Sequence, residues 1–295
     1  MYVKRDLEDT LRRYLDSPEM LLILGPRQSG KSTLIQHVAA QFPKSNLISF
    51  EDVDLLALFE ADPKAFASLH VEGYRTVFID EAQYAPSFGK HMKYLIDTYK
   101  GRVKFVATGS SVTDFYLQGL KFLVGRVFVF HLYPFSFREF LRHRNEKLLP
   151  LVDRPELQPE CKKLLAEFVT YGGYPRAVLA ESLEEKRLVL KNLYNLLIQR
   201  EIVSLAKLLD QQKTIALVRL LAVQNGNLIN YNSLASDCSL TVHQLKGLLD
   251  LLQKTFVVKL VPPFFTNKSL EIVKIPKVFF VDTGLRNAVL DNFST

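Results

Sequence analysis

The chain has 295 residues, 48% apolar and 23% charged, which supports a sizeable folded core and excludes a disordered or fibrous protein. No run approaches the ~18 consecutive apolar residues of a membrane span, and the N-terminus, MYVKRDLEDT, is charged from Lys4 with no secretory signal pattern, so a soluble, cytoplasmic protein with no membrane partner is expected. The formal charge of +7 permits a polyanionic partner without demanding one, and the two cysteines, Cys161 and Cys238, form no CxxC pair or Cys/His cluster, which disfavours structural zinc and a disulfide framework.

Met20 to Leu24 (MLLIL) is a short continuous apolar run closed by Gly-Pro, the pattern of a strand buried on both faces. Similar runs follow at Asn46 to Phe50, Thr76 to Ile79, Val103 to Ala107 and Arg126 to Leu132, each separated from the next by enough chain for a crossover helix. Five such runs predict an α/β fold with a parallel five-stranded sheet. After Pro134 amphipathic helical patterns take over, with Leu164, Leu165 and Phe168, then Leu188, Leu193, Leu196 and Leu197, spaced for one face. The tract from Lys147 to Pro159 reads as a linker or mobile loop. From Thr214 onward, three helical stretches (IALVRLLAV, YNSLASDC and VHQLKGLLDLLQ) precede strand-like runs at Phe256 to Val261 and Val278 to Val281, an order that resembles a winged helix. The expected divisions are a P-loop core over 1–135, a helical lid over 136–211 and a winged-helix domain over 212–295.

The segment GPRQSGKS, from Gly25 to Ser32, fits G-x-x-x-x-G-K-[ST] at every required position and sits between a predicted strand and a predicted helix. Such a loop aims backbone N–H groups and a helix N-terminus at phosphate oxygens. Gly25, Pro26, Arg27, Gln28, Ser29, Gly30, Lys31, Ser32 and Thr33 are the predicted nucleotide-binding residues. Lys31 is expected on the β- and γ-phosphates and Ser32 on Mg²⁺. Thr76 to Glu81 (TVFIDE) delivers two carboxylates at the C-terminal end of a strand. Asp80 suits a direct or outer-shell Mg²⁺ role, and Glu81 suits activation of the attacking water; a carboxylate in that position favours ATP hydrolysis over phosphoryl transfer to a bound hydroxyl. Guanine specificity lacks support, because the one Asn-Lys pair, Asn267-Lys268, is followed by Ser269 and Leu270 where an NKxD loop requires Asp. The next strand ends in Thr108, Ser110 and Ser111; Thr108 is expected to hold the water or γ-phosphate, although threonines and serines at strand ends also satisfy local backbone groups. Arg126, before the last strand, is expected near the same sheet end as a stabiliser of transition-state charge, with a plain surface arginine as the alternative.

The ordered set GPRQSGKS, VFIDEAQ, TGSS, GRVFVFHLYPFSFREF, YGGYP and PKVFFVDTGL resembles the prokaryotic AAA+-like ATPases that carry a C-terminal domain of unknown function, the uncharacterised "archaeal-type" ATPases. The likeness runs from Leu21 to about Leu285. It implies an AAA+ core, a helical lid beginning near Gly172, Gly173 and Pro175, a winged helix, and ATP with magnesium. It further implies a sensor-1 role for Thr108, a finger role for Arg126, a sensor-2 role for Arg176, and homo-oligomers in which the finger acts on a neighbour. Two departures stand out. Glu201 occupies a position where the family often has Asp, and the chain lacks the nuclease-like segment that follows DTGL in many relatives, so nuclease activity is not expected.

In the winged-helix reading, Val242 to Gln253 is the recognition helix, with His243, Gln244 and Lys246 near base edges. From Lys213 onward nine Lys or Arg stand against five Asp or Glu, which permits DNA phosphate contacts. The expected function is a Mg²⁺-dependent ATPase with a remodelling or motor-like role, possible on DNA. The alternative is an ATP-dependent switch whose winged helix binds DNA or a protein.

Overall fold

The computed structural model describes residues 2–110, 120–152, 154, 158–203, 206, 211–264 and 274–294. Ser111 and the tetrapeptide 267–270 lie outside them. The chain divides into two compact units, Met1–Tyr133 and Pro134–Thr295.

The first unit opens with helix α1 (Asp6–Tyr14), followed by strand β1 (Met20–Gly25), α2 (Lys31–Ala39), β2 (Ser45–Ser49), α3 (Val53–Ala61), α4 (Pro63–His70), β3 (Thr76–Asp80), α5 (Phe88–Thr98), β4 (Lys104–Ser110) and β5 (Val127–His131). All five strands are parallel, in the spatial order β2-β3-β4-β1-β5. The apolar runs become strands because both faces are covered. Leu21 and Ile23 pack with Leu11 and Leu15 near α1 and with Leu34, Ile35 and Val38 of α2. Farther along the unit, Phe50, Phe59, Phe66 and Phe88 form an aromatic cluster with centroid separations between 4.7 and 6.4 Å. No residue from Leu21 to Leu24 exposes measurable surface, and a Leu or Ile so buried contributes ~1.5–3 kcal/mol of transfer free energy. Asp52 and Asp62 start α3 and α4 by accepting from the N–H groups two and three residues on, at 2.9 to 3.2 Å.

The second unit contains α6 (Phe137–Arg144), α7 (Pro159–Tyr171), α8 (Pro175–Leu179), α9 (Leu183–Tyr194), α10 (Gln211–Val223), α11 (Tyr231–Asp237), α12 (Val242–Lys254), the antiparallel pair β6 (Val258–Val261) and β7 (Lys277–Phe280), and α13 (Thr283–Val289). Ser136 and Glu139 open α6 with a reciprocal capping box. Part of the expected loop, Glu146–Leu151, is a 3₁₀ helix begun by Asn145. Glu201 falls in a π-helical stretch, Asn195–Ile202, that continues α9. One apolar core runs through the unit, joining Leu190 and Leu193 of α9 to Leu217 and Leu221 of α10, Leu245 and Leu248 of α12, Val278 of β7 and Leu285 of α13.

Two segments quoted for the family resemblance, YGGYP and DTGL, meet in this unit. Asp282 is buried; Oδ1 caps α13 by accepting from Leu285 N at 2.8 Å, and Oδ2 accepts from Gly173 N at 2.7 Å. Gly173 in turn offers its carbonyl to Phe135 N at 2.7 Å. Desolvation pushes the Asp282 carboxyl up to about 6, against the backbone N–H groups that favour its charged form.

Candidate functional site

The strand order brings the predicted site residues together. Because β4 lies between β1 and β3, the C-terminal ends of all three strands are adjacent: Ile23 registers with Thr108, Gly25 with Ser110, and Ile79 with Ala107. The loop after β1 and the carboxylates after β3 therefore flank the end of β4, at the edge of a parallel sheet where ligands bind.

In the loop, Pro26 and Ser29 are buried while Arg27 and Gln28 are exposed. Gly30 has φ +93°, a left-handed conformation that a residue without Cβ adopts freely, and it starts α2 with no side-chain cap. The first N–H groups of α2, those of Lys31, Ser32 and Thr33, thus have no intrahelical acceptor, the condition under which a helix N-terminus takes an anion. Lys31 is 4% exposed, its Nζ donating to Gly25 O at 3.0 Å and Pro26 O at 2.9 Å. Ser32 is half-buried and Thr33 exposed. The hydroxyls of Ser29 and Ser110 are buried and have no hydrogen-bond partner among the described residues. An unmatched buried hydroxyl costs ~1–3 kcal/mol, and an anionic or metal-bound oxygen is the kind of acceptor that removes this cost. The residues fit a nucleotide phosphate with its metal ion.

On the other side, Thr108 Oγ1 donates to Asp80 Oδ1. Glu81 N lies 3.1 Å from the same carboxylate oxygen and 3.2 Å from Thr108 Oγ1. Thr108 and Asp80 are buried and Glu81 half-buried. The backbone at Glu81 has φ 54° and ψ 45°, which turns its side chain away from the strand's alternation. Thr108, expected to hold the water or γ-phosphate, spends its hydroxyl on Asp80 and the Glu81 N–H.

Two participants escaped the sequence reading. Arg5 is 4% exposed and donates from Nη1 to Ser29 O at 2.8 Å and from Nη2 to Tyr133 O at 2.6 Å, bracing the loop from the start of α1. Gln83 donates to Glu81 Oε2 and accepts from Ser110 N at 2.9 Å. A lone Arg before an amphipathic helix gives little signal; the Gln two residues past a carboxylate pair gives more.

Arg126 does not lie at the expected end of the sheet. It precedes β5, whose first residue, Val127, registers with Met20 at the start of β1. The loop begins at the far end of β1, so at ~3.3 Å per residue about 16 Å of strand separate Arg126 from it. Arg126 is instead paired with Asp97 through Nε (2.7 Å) and Nη2 (3.1 Å), which holds the Asp97 carboxyl below the usual range. Position in sequence misled because a parallel strand that follows a loop starts at the opposite edge from the ligand. Arg176 belongs to the second unit, exposed in the first turn of α8.

A glycine-rich loop joining β1 to α2, set beside a carboxylate pair at the end of β3 with β4 between them, defines the class: a P-loop ATPase domain on an α/β sheet. Comparison with known proteins agrees. Residues 17–141 match the family described as AAA domain, and residues 162–295 match a domain of unknown function (DUF8612). Residues 17–141 thus carry an AAA-type P-loop domain, followed by that C-terminal domain. It is 26% identical over 287 residues to an uncharacterized protein of Mycobacterium tuberculosis, covering 97% of this chain and 59% of the relative. An uncharacterized protein of Haemophilus influenzae is 27% identical over 295 residues, covering 94% and 70%. The chain therefore spans about three fifths of the length of the first of these relatives. Among solved structures, the Walker-type ATPase of Pyrococcus abyssi superposes with a TM-score of 0.61 at 17% identity over 98% of this chain and 96% of that one, a likeness of fold. Among the described residues, no helix is long and apolar enough to cross a membrane.

Proposed function

We propose that the first unit binds ATP with Mg²⁺ and hydrolyses it, and that the second unit converts the cycle into work on a partner. The observation that carries the reading is the Asp80–Thr108–Glu81 cluster beside the loop. The N–H groups of the loop and of the first turn of α2 receive the phosphates, and Lys31 exchanges its Gly25 and Pro26 carbonyls for β- and γ-phosphate oxygens. Ser32 and Asp80 hold the metal ion, which neutralises phosphate charge when bound. Glu81 accepts the proton of the attacking water, and Thr108 keeps Asp80 oriented. Arg126 serves as a finger on a neighbouring copy in a homo-oligomer, and Arg176 reads the nucleotide from the lid.

In the second unit we assign 136–211 to a lid and 212–295 to a winged helix. Supporting this, α10, α11 and α12 precede the β6–β7 pair, and His243 and Lys246 are exposed on α12. Gln244 contributes less than its position promised, because its Oε1 accepts from Thr241 N at 2.9 Å in a capping box. DNA is the partner class to test first.

The test is steady-state turnover. Glu81→Gln is expected to keep ATP affinity within about 2-fold and to lose at least ~100-fold in kcat; Lys31→Ala loses affinity as well. Full turnover in Glu81→Gln removes the hydrolytic reading. Stimulation by single-stranded, duplex or branched DNA identifies a remodeller. Slow, unstimulated turnover with ATP-dependent partner binding identifies a switch.

A further inference from the structure

Glu81 has an unusual backbone for a residue with a side chain. Its left-handed conformation ends β3 and starts the 3₁₀ turn Ala82–Tyr84, closed by Tyr84 N donating to Glu81 O at 3.1 Å. That turn folds Gln83 back over the carboxylate. The Gln83 amide then meets a group of one kind on each side: an acceptor-only carboxylate, Glu81 Oε2, and a donor-only backbone N–H, that of Ser110 at 2.9 Å. With nitrogen toward the carboxylate and oxygen toward the N–H both bonds are satisfied, and the reversed amide loses both. Ser110 is the last residue of β4 and registers with Gly25, the first residue of the loop. A continuous chain of contacts therefore runs from the end of β1, across the end of β4, through one side-chain amide, to the carboxylate.

We infer that Gln83 is a positioning residue for Glu81, holding its carboxylate in register with the end of β4. The inference rests on the hydrolytic reading above and deepens it. The amide fixes which carboxylate oxygen is engaged and leaves Oε1 for a water. Displacement of the β4 end would then move the base directly, through Gln83.

The experiment uses the full chain with Gln83→Met, which keeps the length and removes both hydrogen bonds, and Gln83→Glu, which sets a second carboxylate against the first. In Gln83→Met, kcat is expected to fall about 10-fold with KM within 2-fold. In Gln83→Glu kcat falls farther at the same KM, because the second carboxylate repels Glu81 from its place. Amide exchange at Ser110 speeds up in Gln83→Met, a readout independent of turnover. A residue that only braced the turn would raise KM in step with any loss of kcat. A KM that rises in step with the loss of kcat, wild-type kcat in both variants, or unchanged Ser110 exchange in Gln83→Met overturns the inference. Glu81→Gln run in parallel separates the two failures. If it abolishes turnover while the Gln83 variants behave as wild type, only the positioning role falls; if it turns over normally, the hydrolytic reading fails and this inference with it.

Discussion

Arg5→Met tests whether the loop depends on a brace outside its own motif. The guanidinium is 4% exposed and spans two carbonyls, Ser29 O at 2.8 Å and Tyr133 O at 2.6 Å. Methionine keeps much of the stem's volume and donates nothing. The Ser29 contact is buried, so its carbonyl is left unmatched at ~1–3 kcal/mol, and the part-buried contact to Tyr133 adds ~0.5–1.5 kcal/mol. After an allowance for the apolar side chain, the expected loss is ~2–4 kcal/mol. Urea unfolding reads it as a lower midpoint at unchanged m-value, and calorimetric titration reads an ATP affinity weakened about 10-fold as the Ser29–Gly30 peptide loses its anchor. Arg5→Lys recovers part of the loss, because one ammonium cannot match a planar fork aimed at two carbonyls. A loss below ~0.5 kcal/mol with unchanged ATP affinity would refute the bracing argument.

Asp282 supplies a pH prediction. Its carboxyl is pushed up to about 6 in the folded chain, above the ordinary value near 3.8. Between those values the folded state holds a proton that the unfolded state lacks, so this group's contribution to stability is full below about pH 4 and is lost as pH rises through about 6. Denaturation midpoints from pH 4 to 7 should carry that slope in wild type and lose it in Asp282→Asn; equal slopes would contradict the assignment. For Arg126, the distance from its own loop makes complementation decisive. Arg126→Ala and Glu81→Gln, each impaired alone, should regain about a quarter of wild-type turnover when mixed, since that share of subunit contacts pairs an intact base with an intact finger. A mixture no more active than its parts excludes a finger acting between subunits.

Much of the first unit was legible because strands buried on both faces read as unbroken apolar runs. Thr76 to Ile79 extends one residue further as β3, and Met20 to Leu24 one residue further as β1. The loop and the carboxylates were legible for a different reason: their chemistry fixes residue types at fixed spacing. Strand order left no mark on the sequence. Nothing in VKFVATGSS says that it inserts between the first and third strands, yet that insertion places Thr108 against Asp80. The end of the sheet occupied by Arg126 follows from strand direction, a property of the assembled sheet. Arg5 and Gln83 act through hydrogen bonds to backbone groups of other segments, which no local pattern records. Gln244 shows the converse: a residue well placed for recognition has its carbonyl oxygen engaged by the helix's own first turn.

The position of β4 in the sheet also has a consequence for synthesis. β1 pairs only with β4 and β5, both made after it, and roughly 80 residues intervene between Gly25 and Lys104, a long loop to close. A nascent chain that stops short of Lys104 can pair β2 with β3, but it leaves the wholly apolar β1 with two open edges, a surface that attracts chaperones or other chains. Nucleotide binding therefore emerges late on the ribosome, although its signature is among the first segments translated, and prematurely terminated products should be sticky without being competent.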